Sequence, residues 1–457
     1  MNSPHQISLD DWEIRYHRLK AGGLNEPWYG GPLSRHAGRG DKRLLSLRFD
    51  NSPPALRLWN FLLTEEERLH QARAAGGKIV GAMKDLGTAA VMAFSLPNVT
   101  AFYPDGAWWV PCIMEQGTGD LEVADALGID ESFCPVRAML GAFVRGAHFP
   151  RPDLLVCSVG ATCDDFSAIA QRLSSLGYPI LWWEAPHRRR AEAGEAAVDL
   201  PGGLAAPAAQ VRFVRRQLEL VRAGLEELTD RKLDDALLAE GIAQANQFRR
   251  LLGELRRLAY TRVPCPLGAL EMLVAEMLAI HFCSDRAEAI VVIGQLLDEV
   301  RRRSALGLGV LDECAVPVFW VNPVADLKVM NILEECGGRL CGSEFLFSHA
   351  LDEIPADIEP LEALARTALA DPMVGPASDR AERICRECRR FGAKAVVISR
   401  IPGASHCATE SDIIADMVRN RLDLPTVEIE VPPICDADAP GIRTRLEALI
   451  ESARQRT

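Results

Sequence analysis

The stretch LLVCSVGATCDDFSAIAQRLSSLGYPILWWEAP, residues 154–186, has the pattern of a strand, a Gly-Ala loop, a helix and a second strand. Its two apolar ends have strand length, and the middle segment DDFSAIAQRLSSLG has helical spacing. Residues 395–432, AVVISRIPGASHCATESDIIADMVRNRLDLPTVEIEVP, repeat the same order of features. The repeat predicts an α/β protein with two doubly wound domains of related plan.

Each copy of the repeat carries a cysteine between a strand and an acidic helix start, Cys163 in the first copy and Cys407 in the second. In open α/β sheets, ligands bind beyond the carboxyl ends of the strands. A helix N-terminus also favours a thiolate. Cys134 is a third cysteine in this setting, because it precedes Pro135, a natural first helical residue. The simpler interpretation of each is a small residue in a tight turn.

Three cysteines at three helix starts could converge on one soft metal centre. Iron–sulfur clusters are normally held by thiolates, and three thiolates on a four-iron cluster leave one iron open. Zinc on three cysteines is the alternative, although the sequence contains no compact zinc knuckle. The residue types alone leave both metals open.

The chain divides into four segments. Residues 1–74 are a polar, Gly- and Pro-rich N-terminal extension with one or two helices, and residues 75–204 form the first α/β domain. Residues 205–305 are a helical connector, and residues 306–457 form the second α/β domain. A chain of 457 residues is long enough for two or three such domains.

Local patterns assign elements within these segments. KIVGAM (78–83) and AAVMAFS (89–95) are apolar runs of strand length. The connector begins with a helix whose apolar face carries four residues at helical spacing: Val214, Leu218, Val221 and Leu225.

Composition restricts the function classes. The net charge of −12 argues against a nucleic-acid partner. No apolar run has the length of a membrane helix, and the N-terminus lacks an apolar signal core, so a cytoplasmic protein is expected. In a reducing cytoplasm, 13 cysteines favour buried thiols, metal ligands or catalysis over disulfides. No G-x-x-x-x-G-K-[ST] loop occurs, so ATP hydrolysis by that route is not expected.

The other cysteines are interpreted as structural. Cys385 and Cys388 form a CREC motif within a predicted helix, with one side chain inward and the other peripheral. His406 could donate a proton or a hydrogen bond beside Cys407, although a structural role is the simpler one, and Glu410 suits the electrostatics of a helix start. Eight further cysteines are expected in the core or at domain contacts: Cys112, Cys157, Cys265, Cys283, Cys314, Cys336, Cys341 and Cys435.

Five segments in a fixed order carry a family resemblance: FCPVRAMLGAF (133–143), GATCDDFSAIAQRL (160–173), KLDDALLAEGIAQANQFRRLLGEL (232–255), ILEECGG (332–338) and HCATESDIIADMVRNRLDLPTVEIEV (406–431). Together they resemble the 2-hydroxyacyl-CoA dehydratase and benzoyl-CoA reductase family, in its cluster-bearing, D-component type of subunit. The resemblance covers roughly residues 75–455.

The resemblance implies two Rossmann-like domains with helical additions and a [4Fe-4S] cluster on Cys134, Cys163 and Cys407. It implies a heterodimer with a paralogous cluster subunit, and a separate ATP-hydrolysing iron–sulfur activator that injects one electron. The substrate would be an aryl-CoA or acyl-CoA thioester. The double-cubane branch of the family has further cysteines after RLCGSEF (339–345) and near DPMVGPASD (371–379), and this sequence lacks them.

Within the family, the N-terminal extension and the aromatic segment 76–116 look more like an aryl-CoA reductase of benzoyl-CoA type, an enzyme of anaerobic aromatic degradation. A 2-hydroxyacyl-CoA dehydratase subunit is the alternative, and a non-catalytic scaffold paralogue or a structural zinc protein are alternatives of other classes. His406 and His187 are candidate proton donors. Candidate groups for the CoA phosphates are HRRR (187–190) and Arg443 with Arg445, although solvated surface charge is the simpler interpretation.

Overall fold

The computed structural model describes residues 3–40, 42–105, 118–404 and 409–456. Cys112, His406 and Cys407 lie outside these ranges, so the predictions for them have no structural counterpart here. None of the helices within the described ranges combines the length and apolar character that crossing a bilayer requires.

Twelve strands are described. They are β1 (Gln6–Ile7), β2 (Phe49–Asp50), β3 (Lys78–Met83), β4 (Val99–Phe102), β5 (Leu154–Gly160), β6 (Ile180–Ala185), β7 (Ala197–Leu200), β8 (Leu204–Pro207), β9 (Val316–Val321), β10 (Gly338–Glu344), β11 (Ala395–Arg400) and β12 (Thr426–Glu430).

The described α-helices surround and connect these strands. They are α1 (Leu9–Ala21), α2 (Ser34–Gly38), α3 (Pro53–Leu63), α4 (Glu65–Ala74), α5 (Ala89–Ser95), α6 (Thr118–Ala126), α7 (Ala138–Arg145), α8 (Asp164–Ser175), α9 (Ala208–Thr229), α10 (Asp235–Thr261), α11 (Ala269–His281), α12 (Arg286–Leu306), α13 (Lys328–Glu335), α14 (Pro360–Leu369), α15 (Ala377–Phe391), α16 (Ser411–Leu422) and α17 (Ala439–Gln455). Short 3₁₀ turns are Lys42–Ser46, Pro135–Arg137, Pro201–Gly203, Phe282–Ser284 and Ser348–Leu351.

Two four-stranded parallel sheets form the cores of two domains. The first has the strand order β4-β3-β5-β6 and the second the order β10-β9-β11-β12. Numbered within each domain, both orders are 2-1-3-4, and every neighbouring pair is parallel. The predicted pair of related α/β domains is therefore confirmed. The predicted strand KIVGAM is β3, and the two copies of the quoted repeat are β5-α8-β6 and β11-α16-β12.

Long helices connect the two sheets in the sequence. On α9 the four residues predicted to share an apolar face, Val214, Leu218, Val221 and Leu225, are all fully buried. That face packs on α14 and β6, while α10 packs along α12. The 3.6-residue spacing thus identified a helix that covers the edge strand of the first sheet.

The prediction of a strand at AAVMAFS is wrong, because these residues form α5. The carboxylate of Asp85 accepts hydrogen bonds from the backbone N–H groups of Ala89 at 2.8 Å and Ala90 at 3.2 Å, and so satisfies the first turn of the helix. A seven-residue apolar run suits a buried helix as well as a strand. The outer strand beside β3 is β4, four residues that the sequence pattern did not single out.

The N-terminal extension is tied to the second domain. Strands β1 and β2 pair in antiparallel fashion, and Gln6 Nε2 donates to Glu334 Oε2 at 2.6 Å. The fully buried Arg43 donates to Asp326 Oδ1 at 3.0 Å and to Asp436 Oδ2 at 2.6 Å. Described residues of the N-terminal extension therefore contact the domain that is most distant in sequence.

Candidate functional site

Cys163 lies at the carboxyl edge of the first sheet. Strand β5 ends at Gly160, whose φ of +96° is a left-handed conformation that glycine tolerates best. A Cβ at Gly160 would lie 2.4 Å from the carbonyl oxygen of Ala185 on the neighbouring strand, so only glycine fits this turn. Cys163 then caps α8, and its Sγ lies 3.8 Å from Asp165 Oδ2.

The thiol of Cys163 is held in its protonated form. Burial raises the pKa of Cys163 to about 11, and the negative charge of Asp165 contributes to the rise. The backbone N–H of Phe166 and the ammonium of Lys84 act in the opposite direction but are outweighed. The helix N-terminus alone therefore does not produce a thiolate here, contrary to the expectation from the sequence. A metal that binds this sulfur must displace its proton.

Cys134 lies on an adjacent segment. It caps the turn Pro135–Arg137, as predicted, and that turn packs against α8. Arg137 fixes the segment, because it donates to the carbonyl oxygen of Phe133 at 3.2 Å and to Asp125 Oδ1 at 3.0 Å. Both Cys134 and Cys163 are partly exposed, unlike most cysteines of the described chain. The structure thus brings two of the predicted ligands onto neighbouring segments.

The second domain approaches Cys134 through the loop after β11. Gly403 in this loop has a φ of +80°, and a Cβ there would lie 2.3 Å from the carbonyl oxygen of Phe133. The backbone that leads to Cys407 therefore contacts the residue that precedes Cys134. Cys407 and its neighbour His406 lie outside the described ranges, which resume at Thr409.

A buried arginine fixes the helix that follows Cys407. Arg380 donates to Glu410 Oε2 at 2.7 Å and to Glu344 Oε2 at 2.8 Å, and its side chain is fully buried. It also donates to Asn322 Oδ1 at 2.5 Å, just beyond β9. Glu410 is thus an ion-pair partner rather than only a favourable charge at a helix start. The arginine ties the carboxyl edge of the second sheet to the start of α16.

The donor chemistry fits a soft metal in part. Two partly exposed thiols lie on adjoining helix starts, and thiolates bind iron–sulfur clusters and zinc. Within residues 3–404 and 409–456, apart from 41 and 106–117, no group of three or more His, Cys, Asp and Glu side chains is placed to hold a metal ion. The third predicted ligand, Cys407, belongs to the part of the chain that is not described.

The remaining cysteines are mostly core residues, as predicted. Cys336 is partly buried and its Sγ lies 3.8 Å from the carbonyl oxygen of Arg443. Cys314 is exposed, so its assignment to the core was wrong. Cys385 and Cys388 are both buried between α15 and the second sheet, so neither is peripheral. The fully buried members of the group are Cys157, Cys265, Cys283, Cys341 and Cys435.

Three of the arginines proposed for CoA phosphates have partners within the chain. Arg188 is buried and donates to the carbonyl oxygen of Leu369 at 2.6 Å, so it is not the solvated charge that the sequence suggested. Arg189 pairs with Glu195 at 2.6 Å. Arg443 pairs with Glu335 on α13. None of these three arginines presents an unpaired guanidinium.

Sequence reasoning missed two charged residues at the site. Lys84 follows β3 directly, and its Nζ lies 3.4 Å from Asp371 Oδ2 in the second domain. Arg380 lies within the helix that drew attention only for its cysteines. The rule that ligands bind at the carboxyl edge of a parallel sheet could have identified Lys84. Nothing in the local sequence pairs Arg380 with Glu410.

These features define a two-domain α/β protein with thiol-bearing segments at the carboxyl edges of its parallel sheets. Residues 95–453 match the family model for the 2-hydroxyglutaryl-CoA dehydratase D-component. The match spans most of the chain, which therefore belongs to this family of 2-hydroxyacyl-CoA dehydratase and benzoyl-CoA reductase subunits. The resemblance inferred from the sequence motifs is confirmed. No curated protein sequence matches the chain significantly.

Proposed function

We propose that this chain is the iron–sulfur subunit of an ATP-dependent aryl-CoA reductase of the benzoyl-CoA type. The observation that carries the proposal is the convergence of the Cys134 and Cys163 segments with the loop that leads to Cys407. The contact between Gly403 and the carbonyl oxygen of Phe133 joins the two domains at this point. Family membership supports an enzyme subunit that acts with a CoA thioester.

Cys134, Cys163 and Cys407 are the proposed ligands of a [4Fe-4S] cluster. When bound, the cluster would supply single electrons at low potential, and three thiolates leave one of its four irons without a protein ligand. The chain's own residues prepare the site. Cys163 must release its proton as the cluster is loaded, and Arg380 holds Glu410 at the helix start next to Cys407.

His406 is the proposed proton donor for reduction of an aromatic ring. The proposal rests only on its position beside Cys407 in the sequence, because His406 lies outside the described ranges. A histidine can exchange protons near neutral pH, which suits this role.

The proposed partners follow from the type of subunit. A D-component of this family belongs to a multisubunit enzyme with an activator. We propose a paralogous cluster subunit as the heterodimer partner and a separate ATP-hydrolysing iron–sulfur protein as the electron donor. The lack of a G-x-x-x-x-G-K-[ST] motif in this chain supports ATP hydrolysis on another protein. A reducing cytoplasm is the proposed location, because thiols persist there.

A second candidate is a subunit of a 2-hydroxyacyl-CoA dehydratase, which the description of the matching family model favours. The same cysteines would hold the same cluster, but the reaction would be loss of water from a 2-hydroxyacyl thioester. The two candidates therefore differ in substrate rather than in metal chemistry.

The first experiment tests the ligand set. The chain is purified without oxygen together with its partner subunit, and iron, zinc and acid-labile sulfide are measured in Cys134→Ser, Cys163→Ser and Cys407→Ser. We expect about four irons and four sulfides for each wild-type chain and a clear loss in each variant. The exposed Cys314→Ser and the buried Cys157→Ala are matched controls that should keep their iron.

Other outcomes lead to other functions. Zinc in place of iron would support a structural zinc protein. A folded wild-type chain without metal, or full iron in all three variants, would contradict the ligand set and favour a scaffold subunit. If iron is present, benzoyl-CoA and a 2-hydroxyacyl-CoA are each offered with activator, ATP and reductant. Ring reduction supports the leading proposal, whereas dehydration alone supports the second candidate.

A further inference from the structure

Lys84 occupies a constrained position between the two domains. It follows the last residue of β3, and its φ of +43° lies in the left-handed region, which is unusual for a side-chain-bearing residue. Its carbonyl oxygen accepts a hydrogen bond from Ser158 Oγ on β5 at 2.5 Å. The backbone is therefore held against the strand whose continuation carries Cys163.

The ammonium of Lys84 is directed to the second domain. Its Nζ lies 3.4 Å from Oδ2 of Asp371, and only 11% of the lysine side chain and none of the aspartate side chain is exposed. The other oxygen, Oδ1 of Asp371, accepts the backbone N–H of Met373 at 2.7 Å. The ion pair is thus mostly removed from solvent. In the protein interior, charges act over longer distances than at the surface.

Lys84 is also held beside β5, the strand that leads to Cys163. Residues 83 and 157 are register partners on β3 and β5, so Lys84 and the loop 161–163 leave the same edge of the sheet side by side. The Sγ of Cys163 lies 3.8 Å from the carboxylate of Asp165 on α8, and the pair of Lys84 and Asp371 lies at the same edge of the sheet.

We propose that Lys84 and Asp371 form a charge pair that positions the second domain beside Cys163 and sets how easily the group held by Cys163 accepts an electron. This inference rests on the cluster assigned under the proposed function. Reduction adds negative charge to a cluster, so a nearby cation stabilises the reduced state and a nearby anion destabilises it. Lys84 raises the reduction potential, and Asp371 partly offsets that effect.

The alternative is that the pair only bridges the two domains. Loss of either partner would then loosen the site and change the potential in the same direction. A charge effect instead predicts opposite directions for the two partners. The sign of the shift therefore distinguishes the two roles.

The test is an anaerobic redox titration of the cluster in the complete complex, with titanium(III) citrate as the reductant. Electron paramagnetic resonance measures the reduced cluster at each potential. Lys84→Met should shift the midpoint potential to more negative values, and Asp371→Asn should shift it to more positive values. Lys84→Arg should stay near the wild-type potential because it keeps the charge. Lys78→Met is the matched control, since Lys78 begins the same strand and pairs with Asp153 at 3.4 Å at the opposite edge.

Each outcome decides between the alternatives. Opposite shifts in Lys84→Met and Asp371→Asn, with no shift in Lys78→Met, support the charge pair. Shifts of the same sign, or no shift in either variant, overturn it while leaving the proposed cluster intact. A wild-type complex without iron overturns both this inference and the proposed function. Asp371→Asn keeps the shape of the side chain, so it carries the test even if Lys84→Met does not fold.

Discussion

Glu271 is a fully buried carboxyl group on α11. Its Oε1 accepts the backbone N–H of Asp50 at 2.9 Å and the indole N–H of Trp59 at 3.3 Å. Its Oε2 is buried and makes no hydrogen bond within the described part of the chain. Burial, with smaller contributions from the neighbouring charges of Asp50 and Glu334, raises the pKa of Glu271 to about 8. The residue therefore carries a proton at neutral pH.

This protonation predicts a pH dependence of stability. The folded-state pKa of Glu271 lies above its ordinary value of 4.5, so its contribution to stability is present in acid and is lost as the pH rises towards about 8. Glu271→Gln is neutral at every pH and should lack this loss. Between pH 5.5 and 8 the variant should gain on the order of 3 kcal/mol of unfolding free energy relative to wild type.

Urea denaturation at the two pH values, monitored by tryptophan fluorescence, measures the unfolding free energy of wild type and variant. Glu66→Gln on α4 is the control, because that side chain is about half exposed. An identical pH dependence in wild type and Glu271→Gln would contradict the assignment of the buried proton.

At the scale of single elements, the sequence predicted the strands and helices that have a clear apolar pattern of their own. The strands β3, β5 and β11 were predicted from their apolar runs, and the face of α9 from its spacing. The prediction failed at α5, where seven apolar residues give no preferred period and the deciding group is Asp85, which precedes the run. The pKa of Cys163 was also not predictable, because burial raises it more than the helix start lowers it. Burial of the thiol is not visible in the local sequence.

Helix α15 offers a prediction at this scale. Arg380 is buried with Glu344 and Glu410, and Arg380→Met would remove the guanidinium that pairs with both carboxylates. Breaking a buried ion pair in this way typically costs about 3–5 kcal/mol. The variant should lose this amount of unfolding free energy, and iron content should fall because the start of α16 next to Cys407 is released.

Arg390→Met on the same helix is the matched control. Arg390 is largely exposed and pairs with Glu387 at 3.3 Å, so its loss should change the unfolding free energy by less than about 0.5 kcal/mol. Chemical denaturation gives the stability and a colorimetric assay gives the iron. Equal effects of the two substitutions would show that Arg380 does not fix the helix start.

At the scale of the whole molecule, Arg188 joins the domains. It leaves the first domain after β6, and its backbone N–H donates to the carbonyl oxygen of Val374 at 2.8 Å. Its guanidinium donates to Leu369 O at 2.6 Å and to Asp379 Oδ2 at 3.1 Å. A Cβ at Gly375 would lie 1.9 Å from Arg188 Nη2, so the arginine occupies the space that a larger residue would need.

This geometry predicts strong coupling between two substitutions. Arg188→Ala and Gly375→Ala should each lower the unfolding free energy by on the order of 3 kcal/mol, one by losing the buried hydrogen bonds and the other by a steric clash. In the double variant the methyl group fills the vacated space. The combined loss should therefore be smaller than the sum by about 1–3 kcal/mol.

A double-mutant cycle from denaturation curves tests this coupling. Gly253→Ala is the control for the glycine substitution, because no atom lies near the added methyl group at this helical glycine. Its effect on the unfolding free energy should simply add to that of Arg188→Ala. Additive losses at residues 188 and 375 would contradict the interlocked contact.

The proposed cysteine ligands came from local sequence patterns. The order of strand, Gly-Ala loop, cysteine and helix indicated Cys163 and Cys407 because both elements of each unit are adjacent in the sequence. Lys84 and Asp371 are 287 positions apart, and Arg188 and Leu369 are 181 apart. Contacts of this kind depend on how the domains pack, which no local pattern in a single sequence encodes.

The contact between Gly403 and Phe133 also fixes an order of events during synthesis. A ribosome that has released the first domain has produced only two of the three proposed thiol ligands, because the third is at position 407. The segment that leads to it follows β11 and meets Phe133 at Gly403, so this contact needs both domains. Loading of the cluster would then have to follow translation, and a chain stopped between the domains would leave two partly exposed thiols open to oxidation.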